Sequence, residues 1–187
     1  MIFNRHYNLE GKHAFMSPSS PYWLNYTPEK LKDRYYSAKA AEHGTIMHAF
    51  AAECIRLSQR LPKSKKTLNM YVNDAIGYKM SPEVVLYYSD VCFGTADTIS
   101  FRDNFLRIHD YKSGLVPAKM EQLLVYAALF CLEYKVNPEE IGIELRIYQD
   151  NDIDIHTPTP KEVRDVMKII VEHDKIVEKL KRQEEIA

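Results

Sequence analysis

The chain has 187 residues and a formal net charge of −1, and 45% of its residues are hydrophobic while 27% are charged. A chain of this length and composition predicts one globular domain, residues 1–187, with a substantial core. The balanced charge excludes the strong overall positive field of a highly basic nucleic-acid-binding protein, although it leaves room for a local basic groove.

The three cysteines, Cys54, Cys92 and Cys131, are far apart and show no CxxC spacing. Their spacing argues against a zinc knuckle, an iron–sulfur cluster or a disulfide framework, and sparse cysteines in odd number are typical of a reducing compartment. The sequence shows no long apolar run and no signal-peptide pattern, so we expect a cytoplasmic protein that does not enter a membrane.

Residues 1–26 are irregular and rich in aromatic residues, and helices and strands are expected after them. In the first half of the chain the predicted elements are a short helix beginning at Thr27 and Pro28, a helix from about Ala38 to Leu61, a basic linker over residues 63–66, a helix over Thr67 to Lys79, and a strand over Val84 to Phe93. The apolar side of the long helix is expected to contain Ile46, Phe50, Cys54 and Leu57.

In the second half of the chain the sequence predicts both strands and helices. They are a hairpin over Gly94 to Lys112, a helix over Pro117 to Tyr134, a strand over Ile141 to Tyr148, a short strand over Ile153 to His156, and a final helix from Thr159 to about Gln183. This order predicts an α/β fold with a small mixed β-sheet flanked by helices. The expected core covers about residues 38–157, and the C-terminal helix covers residues 159–183.

The hairpin carries the strongest functional signal in the sequence. Asp103 and Asn104 are suitable residues for a two-residue turn. With the turn there, each residue of the first strand pairs with the residue that lies equally far from the turn on the second strand. This register puts Asp97 opposite Asp110. Because side chains alternate along a strand, both aspartates share one face with Lys112. The same face carries the apolar residues Ile99, Phe101, Leu106 and Ile108.

The opposite face of the hairpin is mostly polar and is expected to be the solvated one; it carries Thr98, Ser100, Arg102, Arg107 and His109. The charged residues therefore interrupt the apolar face, where a charge needs a partner or a metal ion. Two carboxylates and a lysine are the groups that metal-dependent phosphodiester hydrolysis uses. The alternative interpretation is a surface hairpin that merely carries charges.

Four blocks of sequence resemble the nuclease core of the PD-(D/E)XK superfamily, with its restriction-endonuclease-like fold. In chain order the blocks are Glu42-His43-Gly44-Thr45-Ile46-Met47-His48, Gly94-Thr95-Ala96-Asp97, Asp110-Tyr111-Lys112-Ser113-Gly114 and Gln122-Leu123-Leu124-Val125-Tyr126-Ala127. They are most similar to the RecB-type and lambda-exonuclease-type members of the superfamily. Any one block alone would be weak, but the four together are specific.

The resemblance implies a role for each matching residue. The metal ion would be Mg²⁺ or Mn²⁺, held by His48, Asp97, Asp110 and the backbone carbonyl of Tyr111. Lys112 would be the catalytic lysine. Gln122 and Tyr126, four apart on one helix face, would contact the DNA backbone or the attacking water. Each of these assignments has a structural alternative: His48 as a core histidine, and the helix pair as residues packed on the sheet.

Basic and aromatic residues supply further candidate contacts to DNA. The basic candidates are Lys30, Lys32, Arg34, Lys39, Lys63, Lys65, Lys66 and Lys119, although a solvated helix face explains most such lysines equally well. Trp23 and the neighbouring tyrosines could stack on single-stranded bases, or serve in core or lid packing. His43, His109 and His156 match no motif and are expected to be surface or structural residues.

The sequence thus predicts a metal-dependent DNA nuclease, an exonuclease acting at DNA ends in recombination or repair. The sequence lacks the four cysteines of the iron–sulfur relatives, and it contains no helicase motif. Within the resemblance, this implies a compact stand-alone enzyme of the size found in phage, acting in the host cytoplasm. Expected partners are single- or double-stranded DNA, a recombination protein and further copies of the chain. Two alternatives stay open: a non-catalytic DNA-binding or assembly module on the same fold, and a metal hydrolase that does not act on nucleic acid.

Overall fold

The computed structural model describes residues 5–9, 11–114 and 116–184. The chain divides into two compact units, Met1–Thr45 and Ile46–Ala187. The described part of the first unit contains short 3₁₀ turns at Tyr7–Leu9 and Pro21–Asn25 and the beginning of helix α1, Pro28–Arg56.

Helix α1 is one continuous helix of 29 residues, where the sequence predicted a short helix and a separate longer one. The predicted N-cap is confirmed, because the Thr27 hydroxyl accepts a hydrogen bond from the Lys30 N–H at 3.2 Å. No proline follows Pro28 until Pro62, so nothing in the backbone interrupts the helix. The predicted apolar side was right only for Cys54. The helix buries Ala51, Ala52, Cys54 and Ile55 and exposes Ile46, Phe50 and Leu57.

The second unit is an α/β arrangement built on a five-stranded mixed sheet, as the sequence predicted. The strands are β1 (Ser81–Ser89), β2 (Cys92–Arg102), β3 (Phe105–Tyr111), β4 (Gly142–Gln149) and β5 (Asp152–His156), and the further helices are α2 (Thr67–Gly77), α3 (Glu121–Tyr134) and α4 (Pro160–Glu184). The strands lie in sequence order. Among the strands of the described residues only β3 and β4 form a parallel pair, and α3 makes the crossover between them, which is the usual solution for a parallel pair.

Three predicted boundaries were wrong. Helix α1 ends at Arg56 and not at Leu61, since Ser58 just after it has a left-handed φ of 54°. The single strand expected over Val84 to Phe93 is instead the end of β1, a turn at Asp90, and the start of β2, as an aspartate in a tight turn would favour. Helix α3 begins at Glu121 and not at Pro117, because the segment before it is held outside the helix: the Ala118 N–H donates to the Gln149 side-chain oxygen at 3.0 Å.

The predicted hairpin register is confirmed from the Thr98–His109 pair to the turn, but the predicted pair of Asp97 with Asp110 is not part of the ladder, because the strand becomes irregular at Asp97. The ladder pairs Ile99 with Ile108 and Phe101 with Leu106. Both turn residues have positive φ, 51° at Asp103 and 57° at Asn104. These values suit a two-residue turn whose twist matches that of the strands.

The face of the hairpin that was expected to be solvated is buried at Thr98, Ser100 and His109, where this prediction was wrong, whereas Arg102 next to the turn is exposed. Thr98 and His109 have no exposed surface. Tyr148 and Tyr71 cover this face, and the Tyr148 hydroxyl lies 3.3 Å from His109 Nδ1. Tyrosine hydroxyls supply the hydrogen bonds that polar residues need when they are buried. A polar pattern on this face therefore does not require contact with water.

Two hydrophobic clusters enclose the sheet. One contains residues of α3 and α4 together with Leu86, Leu106, Ile108 and Leu145, and the other contains residues of α1 and α2 together with Tyr111 and Tyr148. The mixed sheet is therefore covered by helices on both faces. Within the described residues, none of the helices combines the length and apolarity needed to span a bilayer.

Candidate metal centre

Strand β2 changes the face that it presents partway along its length. Ala96 and Ile99 both belong to the α3 core cluster, although residues three apart on a regular strand point to opposite faces. Gly94 faces α3 as well, because an added Cβ there would meet the Tyr126 ring at 3.0 Å. The alternation of side chains is therefore interrupted at Asp97–Thr98.

A matching irregularity lies on the neighbouring strand. The register of β1 with β2 is the same on both sides of Glu83, which places this residue across from Asp97. Glu83 has a φ of +53°, in the left-handed region that non-glycine residues adopt uncommonly. The two strands are therefore irregular at the same level, and each carries a carboxylate there.

Helix α1 supplies an imidazole to the same place. His48 Nδ1 lies 3.3 Å from Asp97 Oδ2. His48, Glu83 and Asp97 each offer one ligand atom, and these atoms all lie within 4.8 Å of one another. A histidine nitrogen and two carboxylate oxygens form a donor set that suits Mn²⁺, and the carboxylates suit Mg²⁺.

Tyr111 connects this group to β3. Its backbone N–H donates to Asp97 Oδ2 at 3.0 Å, and its ring lies edge-on to the His48 ring at a centroid distance of 5.2 Å. Tyr71 stacks on the other side of Tyr111 at 5.6 Å. The hydrogen bond that Tyr111 makes with the site is thus donated by its N–H, and the predicted role of its carbonyl as a metal ligand stays a prediction.

Asp110 and Lys112 form an adjacent ion pair. The Lys112 ammonium lies 2.9 Å from Asp110 Oδ2 and 3.1 Å from Oδ1, and it also donates to the Gln122 side-chain oxygen at 3.3 Å. Asp110 is 2% exposed. Its Oδ2 is buried without a well-aligned hydrogen bond from the described residues. A buried carboxylate oxygen with spare acceptor capacity is what a hard cation would complete.

The ionisation of the site reflects these contacts. Burial and the charge of Asp97 together raise the pKa of Asp110 to about 6, although Lys112 opposes the shift. The hydrogen bond to Asp97 raises the pKa of His48, although burial works against this. Protonation of His48 would compete with metal binding there, because a histidine ligand must be neutral.

The site offers ligand atoms to a divalent cation from two neighbouring groups of side chains. Three potential ligand atoms from His48, Glu83 and Asp97 converge, and the under-satisfied Asp110 oxygen lies in the neighbouring ion pair. Asp110 is not part of the group whose ligand atoms lie within 4.8 Å of each other. A cation that bound Asp97 and Asp110 together would draw on the carboxylate that Lys112 now neutralises.

The other candidate residues are placed differently. Gln122 contacts Lys112, whereas the Tyr126 hydroxyl donates to the Thr95 carbonyl at 2.7 Å and its ring packs against the α3 core. Tyr126 therefore has a structural contact of the kind that the alternative interpretation expected, and its contact with DNA stays a prediction. The predicted basic DNA contacts Lys63, Lys65, Lys66 and Lys119 are all exposed.

Sequence reasoning missed Glu83. Part of the signal was available, because a turn at Asp90 and Val91 would have placed Glu83 across from Thr98, next to Asp97, in a second hairpin. The register shift between Tyr87 and Ser89, which the sequence does not show, moves Glu83 to the level of Asp97. That turn was hidden by reading Val84 to Phe93 as one strand. His109 and His156 are structural, as expected: the first is buried under Tyr148, and the second pairs with Glu162 at 3.2 Å.

In comparison with known proteins, no family model matches this chain and no curated protein matches it at a significant level.

Proposed function

We propose that this protein is a divalent-metal-dependent DNA nuclease with a nuclease core of the RecB and lambda-exonuclease type. One observation supports the proposal most. His48, Glu83 and Asp97 bring their ligand atoms within 4.8 Å of each other, beside a buried carboxylate and an ammonium 2.9 Å apart. The mixed α/β fold is compatible with the proposal, and the motifs that carry the resemblance meet at this place.

The bound ion would be Mg²⁺ or Mn²⁺, held by His48, Asp97 and Asp110 with Glu83 as a further oxygen donor. When bound, such an ion polarises a phosphate and makes a water molecule more acidic. The Tyr111 N–H and His48 orient the Asp97 carboxylate. Those contacts hold it in position before substrate binds, which is the condition for efficient catalysis.

Lys112 would act on the scissile phosphate. Its ammonium is held between the Asp110 carboxylate and the Gln122 amide oxygen, and its side chain is 31% exposed. The ammonium can therefore reach a phosphate outside the carboxylate pair while remaining oriented. There it would stabilise the negative charge that develops as the phosphodiester bond breaks.

Action at DNA ends, a role in recombination or repair, a recombination partner, self-association and a cytoplasmic location remain parts of the proposal that rest on the sequence resemblance. The first alternative is a DNA-binding or assembly module without activity. The presence of His48, Asp97, Asp110 and Lys112 together argues against it, because a degenerate copy is expected to have lost one of them. The second alternative is a metal hydrolase with another substrate.

The test is digestion of end-labelled single-stranded DNA, blunt duplex and covalently closed circular duplex with Mg²⁺, Mn²⁺ or EDTA. We expect loss of the linear substrates with either metal and none with EDTA, and an exonuclease will spare the closed circle. Asp110→Asn is the inactive variant, and Asp103→Asn is its matched control, because it makes the same change at the hairpin turn. Binding without any digestion would favour the assembly module, and neither binding nor digestion would favour the other hydrolase.

A further inference from the structure

A cleft of about 420 Å³ lies within the first compact unit, and half of the residues that line it are aromatic. Phe15, Tyr22, Trp23 and Tyr26 line it together with Arg34. Residues 15–38, which form the whole cleft, belong to one unit, so the cleft does not depend on the position of the metal centre. Its volume is within the range of pockets that bind small organic groups.

The aromatic rings of the cleft are held in place but remain accessible. The Trp23 indole N–H donates to the Ser17 carbonyl at 3.0 Å. This hydrogen bond is made at the edge of the ring and fixes its orientation. The Lys30 ammonium lies 4.7 Å from the centre of the Tyr26 ring. Tyr22 is 74% exposed. A large exposed aromatic ring beside a fixed one offers a surface on which a planar group can stack.

The charge of the first unit differs in sign from that of the rest of the chain. Residues 1–45 contain six lysines and arginines and four acidic residues, whereas residues 46–187 contain 19 and 22. The same 45 residues contain eight of the 21 aromatic residues. Aromatic side chains combined with positive charge are the means by which proteins bind single-stranded nucleic acid, since bases stack and phosphates are neutralised.

We propose that the cleft of Phe15, Tyr22, Trp23, Tyr26 and Arg34 binds single-stranded DNA by stacking bases on its aromatic rings. The choice of DNA over RNA as the ligand rests on the proposed nuclease function. The new element is that the enzyme holds its substrate as an unpaired strand. Arg34 would contact a phosphate or stack on a base. Duplex DNA, whose bases are already stacked on one another, would not enter.

Trp23 is the one tryptophan in the sequence, so its fluorescence reports on the cleft directly. The experiment titrates a 20-nucleotide oligo-dT and a hairpin duplex of equal charge into the full chain in EDTA, where no cleavage can occur. We expect quenching by oligo-dT and much weaker quenching by the duplex. Absence of quenching by oligo-dT, or equal quenching by both, would overturn the proposal.

Variants connect the signal with the cleft. Tyr22→Ala and Arg34→Gln should each weaken oligo-dT binding about tenfold, as expected for the loss of one stacking or phosphate contact, while Tyr22→Phe should bind normally. Phe93→Ala and Arg102→Gln, exposed residues of the sheet, are the matched controls and should bind like wild type. Equal weakening in the controls would overturn the assignment to the cleft.

The same preparation separates the two proposals. Quenching by oligo-dT without digestion in Mg²⁺ or Mn²⁺ would refute the nuclease function and leave the stacking site standing. Digestion without quenching would refute the stacking site and leave the nuclease standing. A second copy of the chain is another occupant that the experiment must exclude. Self-association through the cleft predicts a Tyr22-dependent dimer in light scattering and no response to oligo-dT, and that result would also overturn the proposal.

Discussion

Asp110 is a carboxylate whose surroundings oppose its charge. It is 2% exposed, and burial together with the neighbouring Asp97 raises its pKa to about 6. A raised carboxyl pKa means that the folded, metal-free protein is most favoured while Asp110 is protonated. That contribution is fully present below the unfolded pKa of about 4 and is lost as the pH rises through the folded value.

We therefore predict that Asp110→Asn stabilises the metal-free protein at pH 8, by about 1–3 kcal/mol, and that this advantage disappears below about pH 4. Cleavage should fall by roughly 100-fold or more, because the variant loses a carboxylate that would hold the metal ion, while DNA binding survives. Urea unfolding at pH 4 and pH 8 in EDTA measures the first effect. A variant that is less stable than wild type at pH 8 would show that the ion pair with Lys112 outweighs the burial of the charge.

Lys112 can be a catalytic group or only a counter-ion for Asp110. If it acts on the phosphate, we predict that Lys112→Ala lowers the turnover rate by about 100-fold or more with metal affinity and melting temperature nearly unchanged. If it only neutralises the carboxylates, the metal-free variant should melt at a lower temperature, and added Mg²⁺ should restore both stability and activity. Turnover and melting temperature measured with and without Mg²⁺ decide between the two. We favour the catalytic role, because the ammonium is partly exposed and reaches past the carboxylate to Gln122.

At the scale of elements, the contact between α2 and the sheet is a layer of buried polar groups. The Tyr148 hydroxyl donates to Asp74 at 2.7 Å, so it accepts from His109 Nδ1. His109 Nε2 then has no hydrogen-bond partner among the described residues. Burial, with the nearby charges of Arg146 and Arg107, lowers the pKa of His109 to about 3. The layer is compatible only with a neutral imidazole at neutral pH.

This arrangement predicts how stability changes in acid. Because the folded pKa of His109 lies below its unfolded value of about 6.5, its contribution is intact above that pH and is lost as the pH falls toward about 3. We predict that His109→Gln is less stable than wild type at pH 7 but loses less stability between pH 6.5 and pH 4, by a few kcal/mol at most. Denaturant unfolding of both proteins across this range tests it, and parallel curves would contradict a neutral buried imidazole.

At the scale of the whole second unit, a metal ion would join three segments that are distant in sequence: α1 through His48, β1 through Glu83 and β2 through Asp97. A ligand that binds only the folded state stabilises it by mass action, by about 2.7 kcal/mol at 100 times its dissociation constant. We predict that Mn²⁺ raises the melting temperature of the wild type and that EDTA reverses the rise.

Glu83→Gln should reduce the Mn²⁺ affinity by about tenfold, since the amide keeps the shape of the side chain but loses its charge. The matched control is Glu53→Gln, an exposed position on α1, and it should respond to Mn²⁺ like wild type. A Glu83→Gln protein with unchanged affinity would exclude this residue from the metal centre, and calorimetric titration with Mn²⁺ supplies the measurement.

The local features of the sequence determined the hairpin of β2 and β3. A turn signal at Asp103 and Asn104 and strict alternation of apolar residues leave one register, because a slip of one residue would reverse every side chain. The residue types likewise identified His48, Asp97, Asp110 and Lys112 as candidates, and their roles stay predictions. Helix periodicity located most helices, but it could not locate a turn inside an apolar run such as Val84 to Phe93, where no local contrast exists.

Only the tertiary structure decided which faces are buried and which residues meet at the centre. Thr98 and His109 on the polar face of the hairpin are buried because tyrosines from distant segments pack on them, and α1 buries alanines where larger apolar residues were expected. Glu83 joins His48 and Asp97 because β1 and β2 are irregular at the same level. Composition and periodicity are properties of neighbouring residues, whereas burial and ligand convergence depend on contacts between residues far apart in the chain, and for that reason the sequence alone could not supply them.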